Sequence, residues 1–316
     1  MAEIGKDIDR ARQLLMEGRL VAIPTETVYG LAANALDEKA VLEIFKAKNR
    51  PHFDPLIVHI SGIAQAKTLV ESFPDKARAL ANRFWPGPLT ILLPKKELVP
   101  DLVTSGLNTV GLRCPDHALT LQLLQTLPFP LAAPSANPFG YVSPTTPQHV
   151  NEQLGDKVAY ILDGGECRVG IESTIIGFES MEPIVYRLGG LALESLEPFT
   201  GPLHVQLHSS SNPHAPGQLQ SHYAPRKKIV LGTHDQLAAQ DHPDAGAIVF
   251  RNPLPGIPPR RQVVLSAGGN LEEAAQHLFA GLRTLDKADI SLILAELVPE
   301  TGLGRAINDR LRRAAH

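Results

Sequence analysis

The chain has little of what would tie it to a membrane, a disulfide scaffold or a nucleic-acid surface. It holds two cysteines, Cys114 and Cys167, in 316 residues. That is too few for a disulfide framework and, without a His and Cys cluster nearby, too few for a zinc site; two free thiols in a reducing compartment are expected. No apolar run approaches the ~20 residues that span a bilayer. The opening MAEIGKDIDRARQLLMEG scatters charges where a signal peptide would carry its apolar centre. A soluble cytoplasmic protein with no membrane partner is therefore expected. An excess of one charge is lacking too: 30 Lys plus Arg face 33 Asp plus Glu, which argues against affinity built on a broad basic surface. The lone tryptophan, Trp85, sits beside Pro86, Gly87 and Pro88 and reads as a packing anchor rather than a base-stacking platform.

What is present is globular. Hydrophobic residues make up 43% and charged residues 20%, and the length suggests two domains. The segment 21–35, VAIPTETVYGLAANA, is an apolar strand that stops at Pro24, which cannot donate to a ladder. Thr25, Glu26, Thr27 and Tyr29 follow before Gly30, and such a polar turn at a sheet edge is where open α/β sheets bind small molecules. The plain alternative is a strand-to-helix loop. Asp37 caps a helix expected over 38–47, with Ala40, Val41, Ile44 and Phe45 as its apolar stripe. That helix delivers Lys46, Lys48 and Arg50 to a loop fixed by Pro51 and Pro55, and 56–60 resumes as a strand carrying His59. A strand over 108–112 ends at Arg113. FPLAAP at 129–134 repeats the opening design and leads to Ser135 and Asn137, with Gly140 and Ser143 prolonging the polar segment. In DGGECRVGIESTII, 163–176, the glycines have neither Walker nor dinucleotide spacing; Glu172, Ser173 and Thr174 lead into strand. Arg187 joins Arg50 and Arg113 as guanidiniums able to grip phosphate or carboxylate bidentately.

These elements predict a twisted mixed open α/β sheet with flanking helices over 1–200. A linker rich in Ser, His, Pro and Gly covers 201–226, its histidines too irregularly spaced for a metal site. A smaller Rossmann-like α/β domain follows over 227–316. Its strands are expected at 227–231, 246–250, 261–265 and 290–295, its helical pieces at 271–282 and 285–288, and a terminal helix at 303–314.

In order along the chain, PTETVYGL (24–31), KAKNRP (46–51) followed by PLIVH, PSAN (134–137), GIESTI (170–175) and SHYAP (221–225) resemble the threonylcarbamoyl-AMP synthase family. The resemblance covers essentially the whole chain and implies the long form, a YrdC-like catalytic domain with a second domain behind it. It implies that ATP, bicarbonate and L-threonine are joined into threonylcarbamoyl-AMP with release of pyrophosphate, for N6-threonylcarbamoyladenosine at position 37 of tRNA. By the same resemblance Lys48 and Arg50 are catalytic, at the centre where carbamate meets α-phosphate. Thr25, Tyr29, His59 and Arg113 bind threonine. Thr27, Ser135, Asn137, Ser143, Ser173, Arg187 and Tyr223, with Lys48 and Arg50, bind the nucleotide. Mg²⁺ would accompany ATP, held by phosphate oxygens rather than a protein cage. His222, Tyr223 and Arg226 would form a lid. Downstream partners would be the tRNA threonylcarbamoyltransferase machinery; a homodimer and weak RNA contact through Lys46, Lys48 and Arg50 stay open. Asp54 stands where the family commonly has Asn. The alternatives are a double-stranded RNA or tRNA-binding module, or another carbamoyl-transfer or adenylate-forming enzyme on the same fold.

Overall fold

A computed structural model of the chain describes residues 1–207, 215–218, 222–240 and 242–316. These residues build two sheets, one of eleven strands and one of four.

The chain enters through the helix Ile8–Met16, which Asp7 caps by accepting from the Arg10 amide and which buries Ala11, Leu14 and Leu15. The strand Val21–Ile23 follows, wholly buried. The polar turn expected after this strand closes a hairpin, and the alternative strand-to-helix loop is not what forms. Gly30–Asn34 is a strand that returns antiparallel to Val21–Ile23, with Ile23 opposite Gly30 and Val21 opposite Ala32. Gly30 is needed for closeness rather than turning, since a Cβ there would lie 3.2 Å from the Ala133 Cβ. The helix Glu38–Lys48 starts only afterwards, capped by Asp37, and ends where Asn49 takes a left-handed conformation at φ 52°. That reversal throws Arg50 back across the helix end, its amide donating to the Phe45 carbonyl.

The centre of the large sheet runs Gly30–Asn34, Leu131–Ala132, Ile57–His59, Thr109–Arg113, Leu89–Pro94 and Thr174–Glu179. The Ile57–His59 and Thr109–Arg113 strands are parallel and set His59 opposite Arg113. Alternation along these strands separates two faces. Val58, Ile91, Leu112 and Ile176 pack with Val41, Ile44, Leu80 and Ala81 of the helices. Ile57, Leu92 and Ile175 pack on the other side with Tyr186 and with Ala215 of the linker. His59 lies two residues from Ile57, so it shares that second face.

The second sheet is parallel, in the order Lys228–Gly232, Leu292–Glu296, Ala245–Val249, Gln262–Val264. The helical pieces expected at 271–282 and 285–288 are one helix, Leu271–Lys287, capped by Asn270. The polar residues between the pieces do not break it because Arg283 is itself buried, donating to the carbonyls of Val142 and Ser143. This helix and Gly304–Ala314 share an apolar cluster with Val28, Val142, Ile171, Val185 and Leu188 of the large-sheet part. Among the described residues no helix is long and apolar enough to cross a membrane.

Candidate active site

A cavity of about 50 Å³ lies over the second face of the large sheet, floored by Ile57, His59, Arg113 and Ala133. Its walls include Thr25, Thr27, Gly30, Lys48, Arg50, Ser135, Asn137, Glu172 and Arg187. Its roof is the linker, through Pro216, Gly217, His222 and Tyr223. The three polar segments singled out in the sequence therefore converge, on a sheet face rather than at a sheet edge.

Lys48 is the last residue of its helix and only 1% exposed. Its Nζ donates to the carbonyls of Ser135 and Asn137, at 2.5 Å each. Burial first, then the nearby Arg50, hold its pKa well below the ordinary lysine value. An anion arriving in the cavity would draw that pKa back up. Arg50 is fixed by the carbonyls of Asp54, at 3.0 Å from Nε, and Pro55, at 2.8 Å from Nη2, and it meets the Asp54 carboxylate at 2.9 Å. Arg113 meets Glu26 at 2.7 Å, an ion pair without hydrogen-bond alignment. Arg187 donates from Nε to the Ser173 carbonyl at 3.0 Å and from Nη2 to the Ser173 hydroxyl at 3.0 Å; burial pushes its pKa down to about 10. Among the described residues, Lys48, Arg50, Arg113 and Arg187 thus line the cavity, against Glu172 as its lining carboxylate.

Thr25 organises its turn from within, its hydroxyl donating to the Val28 carbonyl at 2.6 Å while accepting from the Thr27 and Val28 amides. Asn137 spends its amide on the Pro138 and Tyr141 carbonyls, leaving a buried Oδ1 without a partner among the described residues. Three expected site residues do not line the cavity. Tyr29 donates its hydroxyl to the Gly165 carbonyl at 2.8 Å. Ser143 donates to Glu172 at 2.5 Å, and Ser173 bonds Thr90 and Arg187. They support the wall from behind. Arg226 is exposed and pairs with Asp286 at 3.4 Å, away from the lining. Ser221 of SHYAP and the linker residues 208–214 and 219–220 lie outside the described residues. Glu172, Phe139 and the Pro216–Gly217 turn also line the site; of these only Glu172 carried a sequence signal, inside GIESTI.

A family model described as telomere recombination, covering the Sua5, YciO and YrdC proteins, matches residues 13–189. A second, described as threonylcarbamoyl-AMP synthase, C-terminal domain, matches residues 184–316. The threonylcarbamoyl-AMP synthase of Pyrococcus abyssi is 42% identical over 96% of this chain and 93% of its own length. The chain belongs to the threonylcarbamoyl-AMP synthase family. The Bacillus subtilis threonylcarbamoyl-AMP synthase is 40% identical over 98% of this chain and 92% of its own. The crystal structure of P. abyssi Sua5 complexed with L-threonine superposes with a TM-score of 0.91, at 40% identity, over 100% of this chain and 97% of that one. The fold, a YrdC-like mixed α/β domain followed by a smaller α/β domain, is that of this family.

Asp54 is buried against Arg50, and burial raises its pKa while Arg50, Lys48 and Arg187 oppose the rise. Replacing it by Asn removes one negative charge behind the cations. Asp54→Asn is expected to lower the melting temperature of the free protein, because Arg50 loses its counter-charge. It should also bind ATP roughly threefold to tenfold more tightly, since a phosphate then supplies that charge. Melting curves with and without ATP check both parts.

His59 is held neutral, its pKa pushed down to about 3 by burial and then by Arg113. His149 is pushed down to about 4 by burial and then by Arg283. Unfolded, both return to about 6.5, so between those values the unfolded chain binds more protons and stability is lost as the pH is lowered. Each histidine contributes up to about 1.4 kcal/mol per pH unit in that window. Thermal stability should fall from pH 6.5 towards pH 4, and the loss should be shallower in His59→Gln. An equal slope in the variant would exclude His59 as a source.

Proposed function

We propose that this chain makes threonylcarbamoyl-AMP in the cavity over the sheet face, using residues of its own for charge neutralisation and none for covalent attachment. The observation that carries the proposal is the gathering of Lys48, Arg50, Arg113 and Arg187 around one cavity in a chain of this family. The neutral amine of L-threonine attacks the carbon of bicarbonate, expelling water and giving a carbamate. A carbamate oxygen then attacks the α-phosphorus of ATP, and the bond to the β-phosphate oxygen breaks to release pyrophosphate. Every substrate, intermediate and product in that sequence except water is anionic, so cations placed around the cavity are the main service the protein can supply.

Lys48 and Arg50 are assigned to the developing charge at the α-phosphate, and Arg113, with Thr25 and the neutral His59, to the threonine side. Arg187, Thr27, Ser135, Asn137 and Tyr223 are assigned to the nucleotide, with Ser143 and Ser173 holding the wall behind it and Tyr29 the Gly164–Gly165 turn. Glu172 is the lining carboxylate, and its oxygens already accept from Ser143 and Arg310. The lining therefore does not fit a protein-held Mg²⁺ site, and an ion arriving with ATP would take its ligands from phosphate oxygens.

Free space of about 50 Å³ admits a few waters, not ATP with threonine. In this reading the roof of Pro216, Gly217, His222 and Tyr223 opens to admit substrate and closes again, which shields an adenylate prone to hydrolysis. The product is taken to feed the tRNA threonylcarbamoyltransferase machinery. The test is incubation of the purified protein with ATP, Mg²⁺, labelled bicarbonate and single amino acids. Threonine-dependent formation of a labelled adenylate and pyrophosphate is expected; their absence under conditions where an active control works would refute the assignment.

A further inference from the structure

Two arginines of the terminal helix Gly304–Ala314 are buried, Arg310 completely. Arg310 reaches out of its own domain. Its Nε donates to Glu172 Oε2 at 2.8 Å and its Nη2 to the Leu188 carbonyl at 2.8 Å, while Nη1 donates to the adjacent Asp309 at 2.6 Å. Its guanidinium carbon lies 4.9 Å from the centre of the Tyr223 ring. One side chain of the second domain therefore touches both the carboxylate in the cavity wall and the aromatic ring in its roof.

Both contacts are of a kind that needs holding. Glu172 faces a cavity meant for phosphates, where an uncompensated carboxylate repels the substrate. Its other oxygen is occupied by the neutral Ser143 hydroxyl, so Arg310 is its hydrogen-bonded cation. Tyr223 stands at φ 65°, a left-handed conformation that a bulky residue keeps only where its surroundings fix it. What fixes it is Arg310 on one side, the Phe279 ring 5.5 Å away, and the amide of the next residue, Ala224, donating to the Gly140 carbonyl at 2.9 Å. Arg313, one turn on, donates to the carbonyls of Leu207 and Gly217, and its own carbonyl accepts from the His222 amide. The terminal helix thus holds the linker at Leu207, Gly217 and His222.

We infer that Arg310 is a positioning residue for the nucleotide: by neutralising Glu172 and bracing Tyr223, it lets the second domain set the charge and the roof of a cavity that belongs to the first. The inference rests on the proposed function only for the identity of the anion, ATP. Its test is the ATP dissociation constant, measured by titration calorimetry on the full chain for wild type, Arg310→Gln, Glu172→Gln and the double variant.

Arg310→Gln unmasks Glu172 and should weaken ATP binding at least tenfold. Adding Glu172→Gln to it should recover most of that loss, because the repelling charge is gone. Failure of the double variant to bind better than Arg310→Gln would overturn the inference, since a purely structural loss is not repaired by neutralising the partner. Glu172→Gln alone keeps a side chain that can accept from Arg310 and donate to Ser143, so it remains testable even where Arg310→Gln does not fold. It should bind ATP threefold or more tighter, and weaker binding would also overturn the inference. None of these readouts uses threonine. A wild-type protein that binds ATP but forms no adenylate would therefore sink the proposed reaction while leaving the role of Arg310 to be decided by the variants.

Discussion

Lys48→Met is expected to reduce threonylcarbamoyl-AMP formation on the order of 10²–10³-fold, with a smaller effect on stability. Methionine keeps the length of the aliphatic stem that runs through the buried end of the helix, so the packing around Ala47 and Phe45 survives. What disappears is the ammonium that joins the carbonyls of Ser135 and Asn137. The Ser135 carbonyl keeps the Asn137 amide as a donor, so the loss falls on the buried Asn137 carbonyl and costs about 1–3 kcal/mol. Removing a buried charge, whose pKa is already depressed by burial, offsets part of this cost. Nothing offsets the loss at the transition state, where charge moves onto pyrophosphate and the phosphoryl oxygens have lost one of four lining cations. Pyrophosphate release with threonine, bicarbonate and ATP measures the first effect and thermal unfolding the second. Turnover within tenfold of wild type would remove Lys48 from the reaction.

How much of this was legible in the sequence depends on how local the cause was. Lys48 and Arg50 could be placed because their helix carries its own start signal in Asp37 and its own stop in the Asn49–Pro51 loop. The hairpin at 21–34 could not be read locally. Its second strand, GLAAN, is short and alanine-rich and carries no β-branched residue to mark it; what makes it a strand is pairing with Val21–Ile23 on one side and Leu131–Ala132 on the other. Tyr29, placed at the substrate by resemblance, instead holds the glycine turn at Gly164 and Gly165, a partner 135 residues away. Glu172 was visible in its motif, but its role needs Arg310 from the opposite end of the chain. The roof residues Pro216 and Gly217 carry no chemistry that a sequence pattern could mark; they line the cavity because Arg187 and Arg313 hold their carbonyls.

A chain cut to residues 1–202 is expected to lose stability so severely that it aggregates or melts far below the full protein, which is more than the loss of a lid would cause. The second domain does not merely follow the linker. It buries Val28, Val142, Ile171, Val185 and Leu188 of the first part in one cluster with Phe279, Leu278 and Ile307. Re-exposing a fully buried side chain of this size costs roughly 1.5–3 kcal/mol, so five of them approach the roughly 5–15 kcal/mol that holds a domain folded. The cut also strips Arg310 from Glu172 and Arg283 from the carbonyls of Val142 and Ser143, leaving a carboxylate and two acceptors without their cations. A linker acting only as a gate predicts something different: a stable fragment that binds ATP and leaks its adenylate to water. Thermal unfolding, ATP titration and adenylate lifetime on the fragment separate the two outcomes. If the fragment stays soluble with the melting temperature of the full chain, the buried cluster contributes little and the second domain is no more than a carrier for the linker. If it collapses, the gate and the fold are one structure, and the loss of turnover on truncation must not be credited to the gate alone.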